Sequence, residues 1–322
     1  MPNLLRLPLV LYILSLHIFS FASEYPEKPI RFIVPYAAGG GTDLVARFIA
    51  QKLSNITSQQ VLVDNRPGAS SNIGTELVAK SLADGYTVLV TAPNFSTSEA
   101  LSPKLGWKTE DFSPVIQFTK HSNILVTSST SQLGNFKQFI DKTKSGQPLM
   151  SFGSPGTASA AHLVMELLKM KINIPLEHIG YKGSTPLKTD LMGGHILLGA
   201  DGLSGQMEAI KSGKVIALAI LSPKRSPFAP EIPSLGDYGI NDIDGTGWYG
   251  ALVPASTPQT IVNKLHNLFS AILKDQEVKD KLAMIGVEPA GGSSEQFKTY
   301  LLNERDKWGA VIKAANIKME GS

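Results

Sequence analysis

From residue 30 onward, short apolar runs alternate with amphipathic stretches. Phe32, Ile33 and Val34 form an unbroken apolar, β-favouring run, the pattern of a strand buried on both faces. Pro35 removes a ladder donor and ends it. Gly39, Gly40 and Gly41 follow, and Thr42 or Asp43 is then expected to cap a helix through the orphan N–H groups of its first turn. Leu44, Val45, Phe48, Ile49 and Leu53 give that helix an apolar face. A strand is expected over 61–64, a loop over 65–72, a helix through Leu77, Val78 and Leu82, and a strand over 86–91. The order β-α-β-α-β predicts a parallel sheet with right-handed crossovers. Ligands of such sheets sit beyond the carboxyl ends of the strands, where the loops at 35–43, 66–72 and 92–98 would open.

The pattern restarts at Asn123–Thr127. A helix over about 133–143 leads to Met150-Ser-Phe-Gly-Ser-Pro-Gly-Thr-Ala-Ser159, a second strand–glycine loop ahead of a helix through Leu163, Val164, Leu167 and Leu168. Ser154, Thr157 and Ser159 are hydroxyl donors suited to a carboxylate; the alternative is that Ser159 simply caps the helix. A strand over 178–182, a helix from Gly183 to Gly193-Gly194, and a strand over 195–200 come next, with Asp201 placed just past its end. A strand over 215–221 and a Pro/Gly/Asp-rich connection over 223–245 follow. Trp248–Pro254 reads as the last strand, with Thr257 as cap and Pro258 as first residue of the next helix. Two more helices are expected near 275–285 and 294–315. Chain crossings near 123–126 and 245–248 would join two α/β lobes around a cleft. One lobe spans 23–124 and 246–322, with the final helices packing back on its sheet; the other spans 125–245.

The first 22 residues change the picture. Arg6, the apolar run from Leu7 to Phe21, and small residues Ser20 and Ala22 read as a cleaved secretory signal. Taking 22 residues from 322 leaves 300, enough for two domains. The chain has no cysteine, which excludes disulfides, a lipidated Cys and Cys-based metal or redox sites. Its formal charge of +3 falls to +2 without Arg6, and no basic run occurs, so nucleic acid is not an expected partner.

A strand, a glycine loop and a helix N-terminus together collect free N–H groups and the positive end of a helix dipole. The residues leave two readings open: a turn of the chain, or an anion site. The loop at Gly39–Gly41 has neither Walker nor GxGxxG spacing, and HExxH, GxSxG and SxxK patterns are absent from the chain, so neither a cofactor nor a metal nor catalysis is expected. His162, just inside the second helix, is either structural or within reach of a ligand. Asp201 either faces a ligand or caps the next turn. A hydrolase built on Ser154, His162 and Asp201 would lack a nucleophile motif. The tryptophans read as packing groups, although Trp248 at a crossing could line the cleft.

The chain resembles the periplasmic solute-binding proteins of tripartite tricarboxylate transporters, the Bug or TctC-like family. The resemblance rests on Tyr25-Pro-Glu-Lys-Pro-Ile-Arg31, Val34-Pro-Tyr-Ala-Ala-Gly-Gly-Gly-Thr-Asp43, Asn65-Arg-Pro-Gly-Ala69, Asp84-Gly-Tyr-Thr87, Gly153-Ser-Pro-Gly-Thr-Ala-Ser159 with His162, Tyr181-Lys-Gly183, Asp190-Leu-Met-Gly-Gly194, Trp248-Tyr-Gly250 and Pro254-Ala-Ser-Thr-Pro258. It implies a type II periplasmic-binding-protein fold, a Venus flytrap of two hinge-linked lobes. It implies a small carboxylate held by Tyr36, Ala37, Ala38, Gly39, Gly40, Thr42 and Asp43 of one loop and Ser154, Gly156, Thr157, Ala158 and Ser159 of the other, with His162 beside them. Asp201 would read the ligand's far end. The third glycine, at position 41, and Pro155 to Ser159 depart from the commoner family pattern, and Thr157 adds a hydroxyl. The implied role is a monomeric periplasmic receptor, neither an enzyme nor a lipoprotein, that delivers its ligand to a permease of large and small membrane subunits. The alternative partner is a sensor kinase.

Overall fold

The computed structural model describes residues 25–102, 105–145 and 150–318; the expected signal segment lies outside them. The chain first builds β1 (Ile30–Val34), α1 (Gly41–Thr57), β2 (Val61–Asn65), α2 (Asn72–Ala79), β3 (Thr87–Thr91), α3 (Asn94–Leu101) and β4 (Phe112–His121). It then crosses into β5 (Asn123–Ser128), α4 (Phe136–Lys144), β6 (Met150–Ser154), α5 (Ala160–Ile172), β7 (Leu176–Gly180), α6 (Ser184–Gly193), β8 (Leu198–Gly202), α7 (Leu203–Lys211) and β9 (Val215–Ile220). It returns through β10 (Gly247–Pro254), α8 (Gln259–Lys274), α9 (Gln276–Met284), β11 (Val287–Gly291) and α10 (Ser294–Ala314).

Two sheets result, in the orders β11-β4-β10-β3-β1-β2 and β7-β6-β8-β5-β9. The expected parallel core is present: β1 pairs in parallel with β2 and β3. The returning strand β10 is antiparallel to β3 and β4, so the first sheet is mixed. Each lobe carries its own core. Phe32, Ile49, Phe118 and Phe269 belong to one, and Phe139, Phe152, Leu163 and Leu198 to the other. The crossings run side by side: Leu221 N–H donates to Asn123 O (2.8 Å), and Gly245 N–H donates to Leu221 O (3.0 Å).

Several expectations need correction. The α1 cap is Gly40, because Asp43 sits inside the first turn and its carboxylate reaches back to Gly39 N–H (2.8 Å). The helix expected through Leu82 ends at Ala79, since Leu82 is exposed. Asp201 lies within β8, paired with Ile124, and not beyond the strand. The cap of α8 is Pro258, not Thr257, and β11 follows β10, which is therefore not the last strand. The pattern also missed α3, whose polar sequence Asn-Phe-Ser-Thr-Ser buries five residues in a row. Finally, α10 packs on β4 of the first sheet, where Ser294 Oγ donates to Val115 O (2.6 Å), and also reaches the second lobe. Phe297 and Leu301 pack beside Trp107 and Trp248, whereas Trp308, Val311 and Ile312 enter the second lobe's core.

Candidate functional site

Helices that start at the cleft edge of each sheet point their N-termini into one interlobe cavity of about 40 Å³. The N-caps of five helices line it: Gly40 of α1, Pro93 of α3, Ser159 of α5, Gly183 of α6 and Gly202 of α7. Each such end carries unpaired N–H groups and about half a positive charge. Among the described residues on the wall there is no Lys or Arg. The polar side chains there are Tyr36, Thr42, Asn94, His121, Asn123, Ser159, Ser184, Asp201 and Tyr249. Burial pushes the Tyr36 hydroxyl up to about 12 and the His121 imidazole down to about 3, so both are neutral at physiological pH. His121 stacks on Tyr249 with ring centroids 4.3 Å apart. Glycine is required at position 41, because a Cβ there would overlap Ser204 Oγ and Tyr249 Oη.

Hydrogen bonds between the lobes hold the cleft shut around this cavity. Ala37 N–H donates to Lys182 O (3.0 Å), and Thr185 Oγ1–H donates to Ala38 O (2.6 Å). From α3, Asn94 Nδ2 donates to Thr157 O (3.0 Å) and Thr97 Oγ1 to Ala158 O (3.0 Å). Ser204 Oγ and Tyr249 Oη lie 2.9 Å apart across the same seam. Two α/β lobes clasped over convergent helix N-termini can hold an anion by neutral donors alone.

Residues 45–317 match the family described as the tripartite tricarboxylate transporter family receptor. The chain belongs to this receptor family. It is 32% identical to BugT of Bordetella pertussis over 302 residues, 93% of each chain. It superposes on the periplasmic binding protein BugD with a TM-score of 0.86 at 30% identity, covering 91% of this chain and 99% of that one. An R. palustris protein solved with adipate gives 0.88 at 30% identity, covering 92% and 99%. The fold is thus that of the TctC/Bug periplasmic solute-binding receptors, which are not enzymes.

In this receptor the expected ligand residues separate into three groups. Tyr36, Gly40, Thr42, Ser159 and Asp201 line the cavity. Ala37, Ala38, Thr157 and Ala158 form the seam instead, through their backbone groups. The rest support the loops from outside the cavity. Gly39 N–H and Arg47 both engage Asp43, which also accepts from Asn65 Nδ2 (2.9 Å). Ser154 Oγ donates to Gly156 O (2.9 Å) and lies 2.7 Å from His178 Nε2. His162 accepts the Ala158 N–H at Nδ1 (2.9 Å) and stacks on His178, with centroids 3.5 Å apart. These imidazoles border a separate recess with Glu166, Lys169 and Lys318, so His162 braces the loop from behind. Burial, with the neighbouring His162 and Lys169, pushes His178 down to about 2. Ser159 does cap α5, its Oγ accepting His162 N–H (3.3 Å). Trp248 is fully buried against Phe297 and Tyr300, away from the cleft. Among the described residues, no group of three or more His, Asp or Glu is placed to hold a metal ion.

Sequence reasoning missed Asn94, His121, Asn123, Ser184 and Tyr249 on the cavity wall. Asn94 and Ser184 carried a signal, because each opens a helix directly after a strand-end loop. His121 and Tyr249 carried none, being strand residues brought together only by the crossing of β4 and β10.

Proposed function

We propose that this receptor captures a small organic carboxylate in the interlobe cavity and delivers it to the membrane permease of a tripartite tricarboxylate transporter. The observation that carries the reading is the convergence of five helix N-termini on a cavity whose described wall has no cation. Such a wall stabilises negative charge with preorganised dipoles and avoids the desolvation of a buried Arg or Lys. The adipate-bound R. palustris relative supports the ligand class. Gly40 to Thr42 and Ser159 to Ala161 would supply the backbone donors, with Tyr36 and Asn94 alongside them. Residues 1–22 would direct the chain to the periplasm and be removed there.

The test is a thermal-shift screen of the unfolded, ligand-stripped and refolded mature chain against organic acids. A cognate acid at about a thousandfold over its Kd should stabilise by roughly 4 kcal/mol, which is several degrees for a chain of this size. A flat panel with a folded protein would refute carboxylate capture. Delivery is tested by uptake into vesicles carrying the permease, which the liganded receptor should stimulate; equal uptake without it would refute delivery.

A further inference from the structure

Behind the loop over 154–159, His162 of α5 and His178 of β7 stack face to face, with an interplanar angle of 9°. Each ring holds one point of the loop. His162 Nδ1 accepts the Ala158 N–H (2.9 Å), which puts the proton of this imidazole on Nε2, beside Glu166 Oε1 (3.5 Å). His178 Nε2 lies 2.7 Å from Ser154 Oγ, whose own proton goes to Gly156 O. Ala158 is thereby held at φ 56°, a left-handed backbone that alanine rarely adopts. Two seam acceptors stand with it: Thr157 O, bonded by Asn94 Nδ2, and Ala158 O, bonded by Thr97 Oγ1. The next residues, Ser159 to Ala161, are the cavity wall at the start of α5.

The charged groups that face the pair are Glu166 and Lys169 from α5, Glu177 from β7, and Lys318 beyond α10. Burial opposes ionisation of Glu166, yet His162 and Lys169 hold its carboxyl below the usual range. It is therefore a carboxylate, and it draws an added proton to His162 and not to His178. A second imidazolium in the same stack would face a like charge, so the pair takes one added proton. On His162 that proton must go to Nδ1, where the Ala158 N–H then meets another donor.

We propose that this imidazole pair is a proton-sensitive latch on the second-lobe loop, with His162 as its positioning residue. With Nδ1 bare, the latch holds Ala158 and the seam carbonyls for closure. A proton on Nδ1 turns the Ala158 N–H away, loosens the seam and releases the bound molecule. The proposal rests on the interlobe cavity as the capture site and adds its regulation.

Hydrogen exchange of the Ala158 amide in the ligand-free mature chain tests the latch without any ligand. Relative to its intrinsic exchange, the amide should lose protection about tenfold between pH 7.5 and pH 5, the worth of one hydrogen bond. His162→Asn places an amide oxygen near the position of Nδ1 and cannot titrate, so its protection should not change over that range. Unchanged protection in the parent chain, or the same loss in His162→Asn, would overturn the latch. If the variant does not fold, nitrogen NMR of the histidine rings in the parent chain decides: His162 Nδ1 should be bare at pH 7.5 and protonated at pH 5, and any other result would overturn the latch. Coupling to capture is read by calorimetry with adipate at both pH values. The ratio of parent to variant affinity should fall about tenfold on acidification. Taking the ratio cancels the titration of adipate and of Asp201, which both proteins share. A constant ratio beside a loss of Ala158 protection would overturn the coupling. Absence of heat at both pH values would count against adipate as the captured acid and leave the exchange data to decide the latch.

Discussion

Replacing Asp201 by Asn should make the ligand-free protein more stable at neutral pH, and by an amount that depends on pH. Burial pushes the Asp201 carboxyl up from 3.8 to about 6, against the opposing hydrogen bonds from Gln206, Ser184 and Gly202 and the charge of Lys188. At about 1.4 kcal/mol per pH unit, a rise of about two units is worth roughly 3 kcal/mol. The side chain is 2% exposed, so little of this is screened. The unfolded chain releases this proton near pH 4, whereas the native state holds it to about pH 6. Between those values the native state binds more protons. The group's contribution is therefore complete below pH 4 and lost as pH rises through 6. The variant has no such proton to lose. Its amide can be accommodated, because Gln206 Oε1 is buried and unpaired and could accept from it. Urea denaturation of both proteins from pH 4 to pH 7.5 should show the stability difference moving in the variant's favour by about 3 kcal/mol, or about 5 °C in Tm. A difference that stays flat across that range, or moves in favour of the parent chain, would refute the reasoning.

Three further outcomes are expected. Gly40→Val should fold, because φ −81° and ψ 169° suit a β-branched residue, yet it should lose ligand affinity. Its Cβ would lie 3.5 Å from Ser184 Cβ across the cleft, leaving its methyls in the cavity; calorimetry showing parental affinity would contradict this. Asn94→Ala removes the side chain that donates to Thr157 O and should weaken binding about tenfold, mainly through faster ligand release measured by stopped flow. Trp308→Ala should cost about 3–5 kcal/mol by urea denaturation, because the indole is fully buried in the second lobe's core and Nε1 donates to Glu304 (2.9 Å). A cost under about 1 kcal/mol would mean that α10 does not strap the lobes together.

Local sequence was enough for the glycine loops and the β-α-β order of each half, and it offered the cap at Ser159 as an alternative reading. These depend on backbone freedom, on apolar period and on a hydroxyl one residue ahead of a helix, all readable within a few positions. It left an anion site open as one of two readings, since a helix N-terminus is polarised by its own peptide groups. Tertiary structure decided which faces of those loops line the interlobe cavity. Ala37, Ala38, Thr157 and Ala158 have backbone groups turned to the opposite lobe, and only lobe closure makes them a seam. His162 lies on the buried face of α5, where the neighbouring strand β7 brings His178 against it. His121 and Tyr249 are 128 residues apart and stack because β4 and β10 pair in antiparallel register. The burial that raises the Asp201 pKa likewise arises from three elements folding around one carboxylate, and long-range desolvation of that kind leaves no mark in the residues beside it.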